Sequence, residues 1–296
     1  MKKVSVIVPV YNVESYLERC LNSLVKQTID DIEIIVINDG STDDSQRIID
    51  FFEDKYPDKV IGIKIKNSGV AHARNIGLKQ ATGEFIGFVD SDDYVDVNMF
   101  EELYQKAKEE TADIVVSGYT RIYAASSKDF QLGEIEIYGK SLKESPQILV
   151  AGVPYIWNKI FRKQMIEEND ISFNEFGIFE DLLFTYQCFL YANRISKRDK
   201  AFYYYRVRRE GSATHRFNEK FFDIFNVMDL LIQTAKDTGQ FEILEDELIY
   251  TALNHTIIRW ETKVVPEELE IKKEFFDKSL EYIKKNFPNY REHKLY

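Results

Sequence analysis

Apolar and polar positions form alternating blocks through the first third of the chain, and these blocks predict strands and helices in turn. Four short, nearly continuous apolar runs are typical of strands buried on both faces of a parallel sheet: 4–10, 33–37, 60–65 and 84–89. Between them, apolar residues recur at helical spacing, most clearly over 12–27, where Asn12 is the expected N-cap. The order βαβαβαβ predicts a Rossmann-like, doubly wound half with right-handed crossovers.

The pattern changes twice farther along the chain. A predicted helix near 97–110 and a strand at 114–117 are followed by an irregular, mixed region through about residue 205. From residue 217 three apolar stripes at helical spacing predict helices: Phe221, Phe225, Met228, Leu231 and Ile232; Ile243, Leu244, Leu248 and Ala252; Leu269, Phe276, Leu280 and Ile283. Such stripes are typical of packing between helices. We therefore expect a domain of residues 1–216, with halves 1–95 and 96–216, and a helical C-terminal domain of residues 217–296.

The composition excludes several classes of protein. The 296 residues are 44% hydrophobic and 30% charged, which suits a globular core and not a disordered or fibrous chain. The net charge of −11 argues against a nucleic acid partner. Two distant cysteines in helix-like sequence indicate a reducing compartment, so we expect a cytoplasmic protein. The run 4–10 is too short for a signal peptide, and no window approaches the roughly 18 apolar residues of a membrane span.

Polar residues follow the end of each predicted strand in the first third. Ligands of an open parallel sheet bind outside the carboxyl ends of its strands. Tyr11 and Asn12 follow the first strand, 38–41 the second, 67–69 the third and 90–93 the fourth. The phosphate-binding patterns G-x-G-x-x-G and G-x-x-x-x-G-K-[ST] do not occur in the sequence, which disfavours an NAD enzyme or a P-loop NTPase.

Three carboxylates stand within four residues directly after the fourth predicted strand, at Asp90, Asp92 and Asp93. A divalent cation would relieve their mutual repulsion, and oxygen ligands suit Mg²⁺ or Mn²⁺, which would also hold a diphosphate. A solvated turn that caps the next helix explains the same residues without a metal. Both interpretations stay open at this point.

Taken together, the motifs resemble the family 2 inverting glycosyltransferases of GT-A fold that build bacterial polysaccharides and glycans. The order and spacing match over Pro9-Val10-Tyr11-Asn12, Asn38-Asp39-Gly40-Ser41-Thr42-Asp43, the run 67–77 and Phe88-Val89-Asp90-Ser91-Asp92-Asp93, with later matches at Trp157-Asn158-Lys159 and Phe179-Glu180-Asp181. The resemblance implies an α/β fold with a Rossmann-like, mostly parallel sheet, flanking helices and C-terminal helices. Residues 1–95 would then be the nucleotide-binding half and 96–216 the acceptor half.

The resemblance also implies a role for each matched residue. The nucleotide-binding residues would be Pro9, Tyr11, Asp39, Asn67, Arg74 and Asp90. Among these, Tyr11 would stack on the base and Asp39 would accept the imino N–H of uracil, so UDP-sugars are the expected donors. Arg74 would contact the diphosphate. The alternative explanations are a core aromatic for Tyr11, a turn residue for Asp39 and a surface ion pair for Arg74.

The same resemblance nominates the catalytic base and the metal ligands. Inversion requires a base that removes the acceptor proton and a cation that stabilises the departing nucleoside diphosphate. Glu180 and Asp181 open a helix-like stretch, and the second acid of this pair is the base in the family, which implies that role for Asp181. Asp92 and His215 would bind Mn²⁺ or Mg²⁺. Helix capping by the acidic pair and a surface position for His215 are the alternatives.

A basic segment at 194–216 has eight basic and two acidic residues, a local net charge of +6. This segment would cover the diphosphate or bind an anionic acceptor, such as a lipid-linked diphosphate at the inner face of the membrane. A solvated loop with a strand edge is the alternative explanation. The expected acceptors are a glycan, a glycoprotein or a lipid-linked molecule. The C-terminal helices are candidates for packing on the catalytic half, for homo-oligomer contacts or for peripheral membrane contact.

Two alternatives to a metal-dependent hexosyltransferase stay open. A sugar nucleotidyltransferase also uses a Rossmann-like half and metal carboxylates, but it requires a glycine-rich loop where this chain has Pro9-Val10-Tyr11-Asn12. A non-catalytic UDP-sugar-binding subunit would have no need of both Asp92 and Asp181.

Overall fold

The computed structural model describes residues 2–123, 126–175, 177–207, 217–258 and 268–292. The first elements alternate along the chain: β1 (Val4–Val10), α1 (Glu14–Val25), β2 (Ile32–Asp39), α2 (Ser45–Lys55), β3 (Val60–Ile65), α3 (Val70–Gln80) and β4 (Phe85–Phe88). The middle region contains β5 (Tyr94–Val95), α4 (Met99–Glu110), β6 (Ile114–Ile122), β7 (Ser127–Phe130), α5 (Ile148–Ala151), β8 (Lys159–Arg162), α6 (Lys163–Glu168), α7 (Glu180–Tyr191) and β9 (Ile195–Arg206). The last helices are α8 (Asp223–Asp237), α9 (Glu245–Leu253) and α10 (Leu269–Asn286).

The described strands form one mixed sheet in the order β3-β2-β1-β4-β8-β6-β9-β5, with β7 paired to β6. Strands β1 to β4 run parallel to one another, as the sequence predicts. Strand β8 is antiparallel to both β4 and β6, whereas β9 is parallel to β6. The predicted fold class is therefore confirmed, with a Rossmann-like first half, flanking helices and helices at the C-terminus.

The first helix begins two residues later than the sequence predicts. Asn12 has a positive φ of 49°, and its Oδ1 accepts the backbone N–H of Thr42 at 2.8 Å instead of capping the helix. The predicted cap was wrong because this side chain joins the first strand end to the loop after β2. The predicted apolar face of α1 is buried, and both cysteines are buried and free.

Helix α3 lies unusually close to β1 because Gly77 has no side chain. A Cβ at this position would overlap Cγ2 of Ile7. The close approach fixes α3, which contains Arg74, against the strand that ends at the predicted ligand crevice.

The C-terminal helices pack on the rest of the protein. Helix α8 lies against α7, and its buried side chains, such as Met228, join the same continuous hydrophobic core as the sheet. Gln240 Nε2 donates to the carbonyl of Leu190 at the end of α7 at 2.7 Å. The proposed domain boundary at residue 216 lies outside the described residues, and the division into two domains stays a prediction.

One predicted apolar stripe is only partly right. In α10 the buried residues are Phe275, Ser279 and Ile283, whereas Leu269 and Phe276 are 54% and 40% exposed. The helical period was right and Ile283 is buried as predicted, but Phe275 is buried in place of Phe276. None of the described helices is long and apolar enough to cross a membrane.

Candidate active site

The carboxyl ends of β1 and β2 form one side of the predicted crevice. Pro9 is half-buried in β1, opposite Ile37 of β2, and Tyr11 follows with 48% of its surface exposed. An exposed aromatic ring at a strand end can stack on a planar ligand. Tyr11 is therefore not a core aromatic.

Asp39 organises the loop that precedes α3. Its Oδ1 accepts the N–H of Ser68 at 2.7 Å and its Oδ2 accepts the N–H of Gly69 at 2.9 Å. Asn67 is exposed and lies directly against Gly40, so the two loops touch. Each carboxylate oxygen has a second lone pair, so Asp39 can still accept a ligand N–H.

The acidic turn 90–93 is held from β9. The hydroxyl of Tyr203 accepts the N–H of Asp90 at 3.1 Å and donates to Asp93 Oδ2 at 2.9 Å. Asp93 Oδ1 accepts the backbone N–H of Arg206 at 2.7 Å. Burial, with the charges of Asp92 and Asp90, raises the pKa of Asp93 well above its ordinary value. Asp93 thus faces the protein interior, whereas Asp90 and Asp92 are only half-buried.

Arg74 joins the acidic turn to the start of α7. Its Nη2 donates to Asp90 Oδ1 at 3.0 Å and its Nη1 to Glu180 Oε1 at 2.8 Å. The side chain is only 7% exposed, and its buried Nε has no hydrogen-bond partner. This arrangement contradicts the alternative of a surface ion pair. The proposed contact with a diphosphate stays a prediction, because here the guanidinium binds two carboxylates.

Asp181 lies in the first turn of α7, as the sequence predicts, and is half-buried. Burial raises the pKa of its carboxyl to about 7; the charges of Glu180 and Asp90 act in the same direction, while Arg74 opposes them. A carboxylate with a pKa near neutrality is suited to accept a proton at physiological pH.

Sequence reasoning missed the contacts that hold the segment before Asp181. The amide of Asn75 donates to the carbonyl of Phe173 and accepts its N–H, both at 2.8 Å, and also donates to Glu175 at 3.1 Å. Phe173 in turn stacks on Phe184 of α7, with ring centroids 4.1 Å apart. Helix α3 thus holds both ends of the segment 173–180, through Asn75 and Arg74. The only sequence signal was that the two residues are adjacent in the matched run 67–77.

The matched residues Trp157-Asn158-Lys159 hold a second loop near Asp181. The buried Nζ of Lys159 donates to the carbonyls of Val153 and Tyr155 at 3.0 and 2.6 Å. Burial lowers the pKa of Lys159 well below its ordinary value, and the nearby charge of Asp181 opposes this. Trp157 stacks between Tyr155 and Tyr203, at 4.7 and 4.3 Å. This motif therefore connects the loop to the acidic turn.

The described residues are compatible with a divalent cation only as a partial site. No group of three His, Cys, Asp or Glu side chains in the described ranges could hold a metal ion. The crowded charges of Asp90, Asp92 and Asp93 and their hard oxygen atoms suit Mg²⁺ or Mn²⁺, with the other ligands supplied by a bound diphosphate. The second predicted ligand, His215, lies outside the described residues.

Most cations of the described part of the basic segment are already paired. Lys197, Arg198 and Lys200 lie within ion-pair distance of Asp199, Glu102 and Asp96, respectively. Residues 202–205 form part of β9, so this part of the segment is a strand and not a solvated loop. Arg208, Arg209 and Arg216 lie outside the described residues.

Comparison with known proteins shows which family the chain resembles. Residues 5–170 match the family model "Glycosyl transferase family 2". The chain is 34% identical over 226 residues to the putative glycosyltransferase EpsH of Bacillus subtilis, covering 74% of this chain and 65% of that protein. It is 31% identical over 261 residues to the poly(ribitol-phosphate) beta-N-acetylglucosaminyltransferase TarS of Staphylococcus aureus, covering 86% of this chain and 44% of that protein.

The chain therefore spans about half to two thirds of the length of these relatives. Among solved structures, residues 1–349 of TarS in complex with UDP-GlcNAc superpose with a TM-score of 0.77 at 29% identity. That superposition covers 95% of this chain and 81% of the TarS chain.

Proposed function

Because the chain belongs to glycosyltransferase family 2, we propose that it transfers a hexose or N-acetylhexosamine from a UDP-sugar to a hydroxyl group of a polymeric acceptor, with inversion. The observation that carries the proposal is Asp181, a carboxyl group with a pKa of about 7 beside the Arg74, Asp90 and Glu180 cluster at the carboxyl end of the sheet. Family membership leaves the sugar nucleotidyltransferase without support.

The proposed donor is UDP-GlcNAc or UDP-glucose. The exposed ring of Tyr11 would stack on uracil, and Asp39 would accept its imino N–H with the lone pairs that its two loop hydrogen bonds leave available. Support also comes from the TarS structure, which binds UDP-GlcNAc at 29% identity to this chain. A polyol-phosphate polymer is the corresponding acceptor, by analogy with the poly(ribitol-phosphate) in the name of TarS.

In the proposed reaction, the acceptor hydroxyl attacks the anomeric carbon from the side opposite the diphosphate. Asp181 accepts the hydroxyl proton as the new C–O bond forms, and the bond between the anomeric carbon and the diphosphate oxygen breaks to release UDP. Arg74 holds Asp90 and Glu180, which keeps the donor side and the base in fixed relation.

Asp92 would hold a Mn²⁺ or Mg²⁺ ion against the donor. When bound, the cation supplies positive charge that stabilises the departing diphosphate. Pro9, Asn67 and Asp90 would complete the nucleotide pocket, and His215 is the proposed second ligand.

The function is tested with a panel of UDP-, GDP- and TDP-sugars, assayed for nucleoside diphosphate release with and without a ribitol-phosphate oligomer. We expect acceptor-dependent release of UDP. Asp181→Asn should lower transfer at least about 10²-fold, because the base is lost, and should leave the affinity for UDP unchanged.

Asp54→Asn, which changes an exposed carboxylate of α2 in the same way, is the matched control and should transfer at the parent rate. If Asp181→Asn transferred sugar at the parent rate, Asp181 would not be the catalytic base, and Glu180 would be the next candidate. Binding of UDP-sugar without turnover of any acceptor would favour the non-catalytic subunit.

A further inference from the structure

Two cations face each other at the carboxyl end of β6. Arg121 of β6 and Lys128 of β7 are direct cross-strand partners. Both approach the same ring, with Arg121 Cζ 4.6 Å and Lys128 Nζ 5.1 Å from the centroid of Phe130. Like charges directly opposite each other destabilise a strand pair. Within the described residues, neither side chain is in an ion pair with a carboxylate.

The groups around Arg121 leave its charge uncompensated. Its Nη2 lies 3.5 Å from the hydroxyl of Tyr119, and its buried Nε has no hydrogen-bond partner. Burial raises the pKa of Tyr119 to about 12, so this phenol is neutral at pH 7. In a chain with a net charge of −11, a guanidinium surrounded by neutral rings is an unusual arrangement, and it suits an incoming anion.

A continuous layer of aromatic rings, buried except at the half-buried Tyr155, connects this cation pair to the candidate active site. Tyr119 contacts Tyr155 and Trp157 edge-on, at 5.6 and 5.1 Å between ring centroids. Trp157 stacks on Tyr203, whose hydroxyl binds the acidic turn. The carbonyl of Tyr155 accepts from Lys159, the buried lysine near Asp181. Contacts between these rings thus link the cation pair to the acidic turn and to the loop near Asp181.

We propose that Arg121 and Lys128 bind an anionic group of the acceptor, a phosphate diester of a polyol-phosphate chain, while the half-buried ring of Tyr155 contacts its carbon chain. This inference rests on the proposed function and specifies where the acceptor's charge is recognised. The planar guanidinium donates two parallel hydrogen bonds to phosphate oxygens, and the ammonium adds a mobile point charge.

The test compares two acceptors that differ in charge, a ribitol-phosphate oligomer and free ribitol, using the UDP-sugar that the panel identifies. For the parent protein we expect the KM for the oligomer to be at least about tenfold lower than that for ribitol and to rise with salt. Arg121→Met and Lys128→Met should each raise the KM for the oligomer several-fold, with kcat, the KM for ribitol and the affinity for UDP unchanged.

Lys128 is exposed, so its variant keeps the test valid if Arg121→Met does not fold. Lys55→Met, an exposed cation over Phe51 in α2, is the matched control and should have no effect. If UDP-sugar turnover continued but both acceptors had equal KM values, or the KM was unchanged in Lys128→Met, the proposed phosphate subsite would be wrong. Absence of turnover with every acceptor would instead overturn the proposed function, and the subsite with it.

Discussion

At the scale of single residues, the environment of Asp181 sets the expected pH dependence. Its carboxyl is protonated below a pKa of about 7 and then cannot accept the acceptor proton. The rate of transfer should therefore rise about tenfold per pH unit below 7 and level off above it. A pH profile of kcat with saturating donor and acceptor measures this limb.

Glu180 provides an internal test of that assignment. Its charge raises the pKa of Asp181, and it also binds Arg74, whose charge lowers that pKa. Glu180→Gln should move the limb to lower pH, because one anion is lost and Arg74 is left with one fewer carboxylate partner. Asp54→Asn again serves as the control. If the acidic limb of the kcat profile did not move, the titrating group would be a residue other than Asp181.

Asp39 serves both the loop and the proposed ligand. Asp39→Ala removes the acceptor of two backbone N–H groups, those of Ser68 and Gly69, and the proposed partner of uracil. We expect UDP affinity to fall by about 1–3 kcal/mol, measured by calorimetry, because a ligand donor loses its partner. Thr82→Ala, at the opposite end of the sheet, is the control. Equal affinity for all nucleoside diphosphates before and after the change would contradict the uracil contact.

At the scale of elements, α3 positions the segment that leads to the base. Asn75→Ala removes the two-way hydrogen bond with Phe173 and leaves Arg74 in place. We expect kcat to fall about tenfold or more, because small displacements of a catalytic group are costly, while the affinity for UDP stays constant. This split between kcat and donor affinity is what distinguishes positioning from general destabilisation.

The control for this prediction is Asn169→Ala, which removes one hydrogen bond, from Asn169 to the carbonyl of Met165 at the end of α6. It should leave both kinetic constants unchanged. A parallel loss of UDP affinity and kcat in Asn75→Ala would mean that α3 itself had moved.

At the scale of the whole molecule, α8 decides whether the C-terminal helices unfold with the sheet. Met228 is fully buried in the shared core, so Met228→Ala should lower the free energy of unfolding by about 2–5 kcal/mol. In a Trp260→Phe background, Trp157 is the remaining tryptophan and reports on the sheet. Its fluorescence transition and the loss of helical circular dichroism should then shift together. Two separate transitions would support an independent domain of residues 217–296.

The sequence alone determined the first half of the fold and the identity of the motif residues. Continuous apolar runs favour burial on both faces, and β1 has the predicted bounds and is largely buried in the parallel part of the sheet. Strand β3 also has the predicted bounds, but it lies at the edge of the sheet with Ile61 39% exposed, so the predicted burial of 60–65 on both faces was wrong. Residues at strand ends, such as Tyr11 and Asp39, could be assigned to one crevice for the same reason.

Only the tertiary structure decided which of these side chains are already engaged and which residues support them. Contacts across about 100 positions, such as Asn75 with Phe173 or Tyr203 with Asp93, have no local pattern in the sequence. The raised pKa of Asp181 likewise depends on burial and on charges from three separate segments of the chain. Local periodicity reports which face of an element is apolar, whereas the partners of a polar group depend on how distant elements pack.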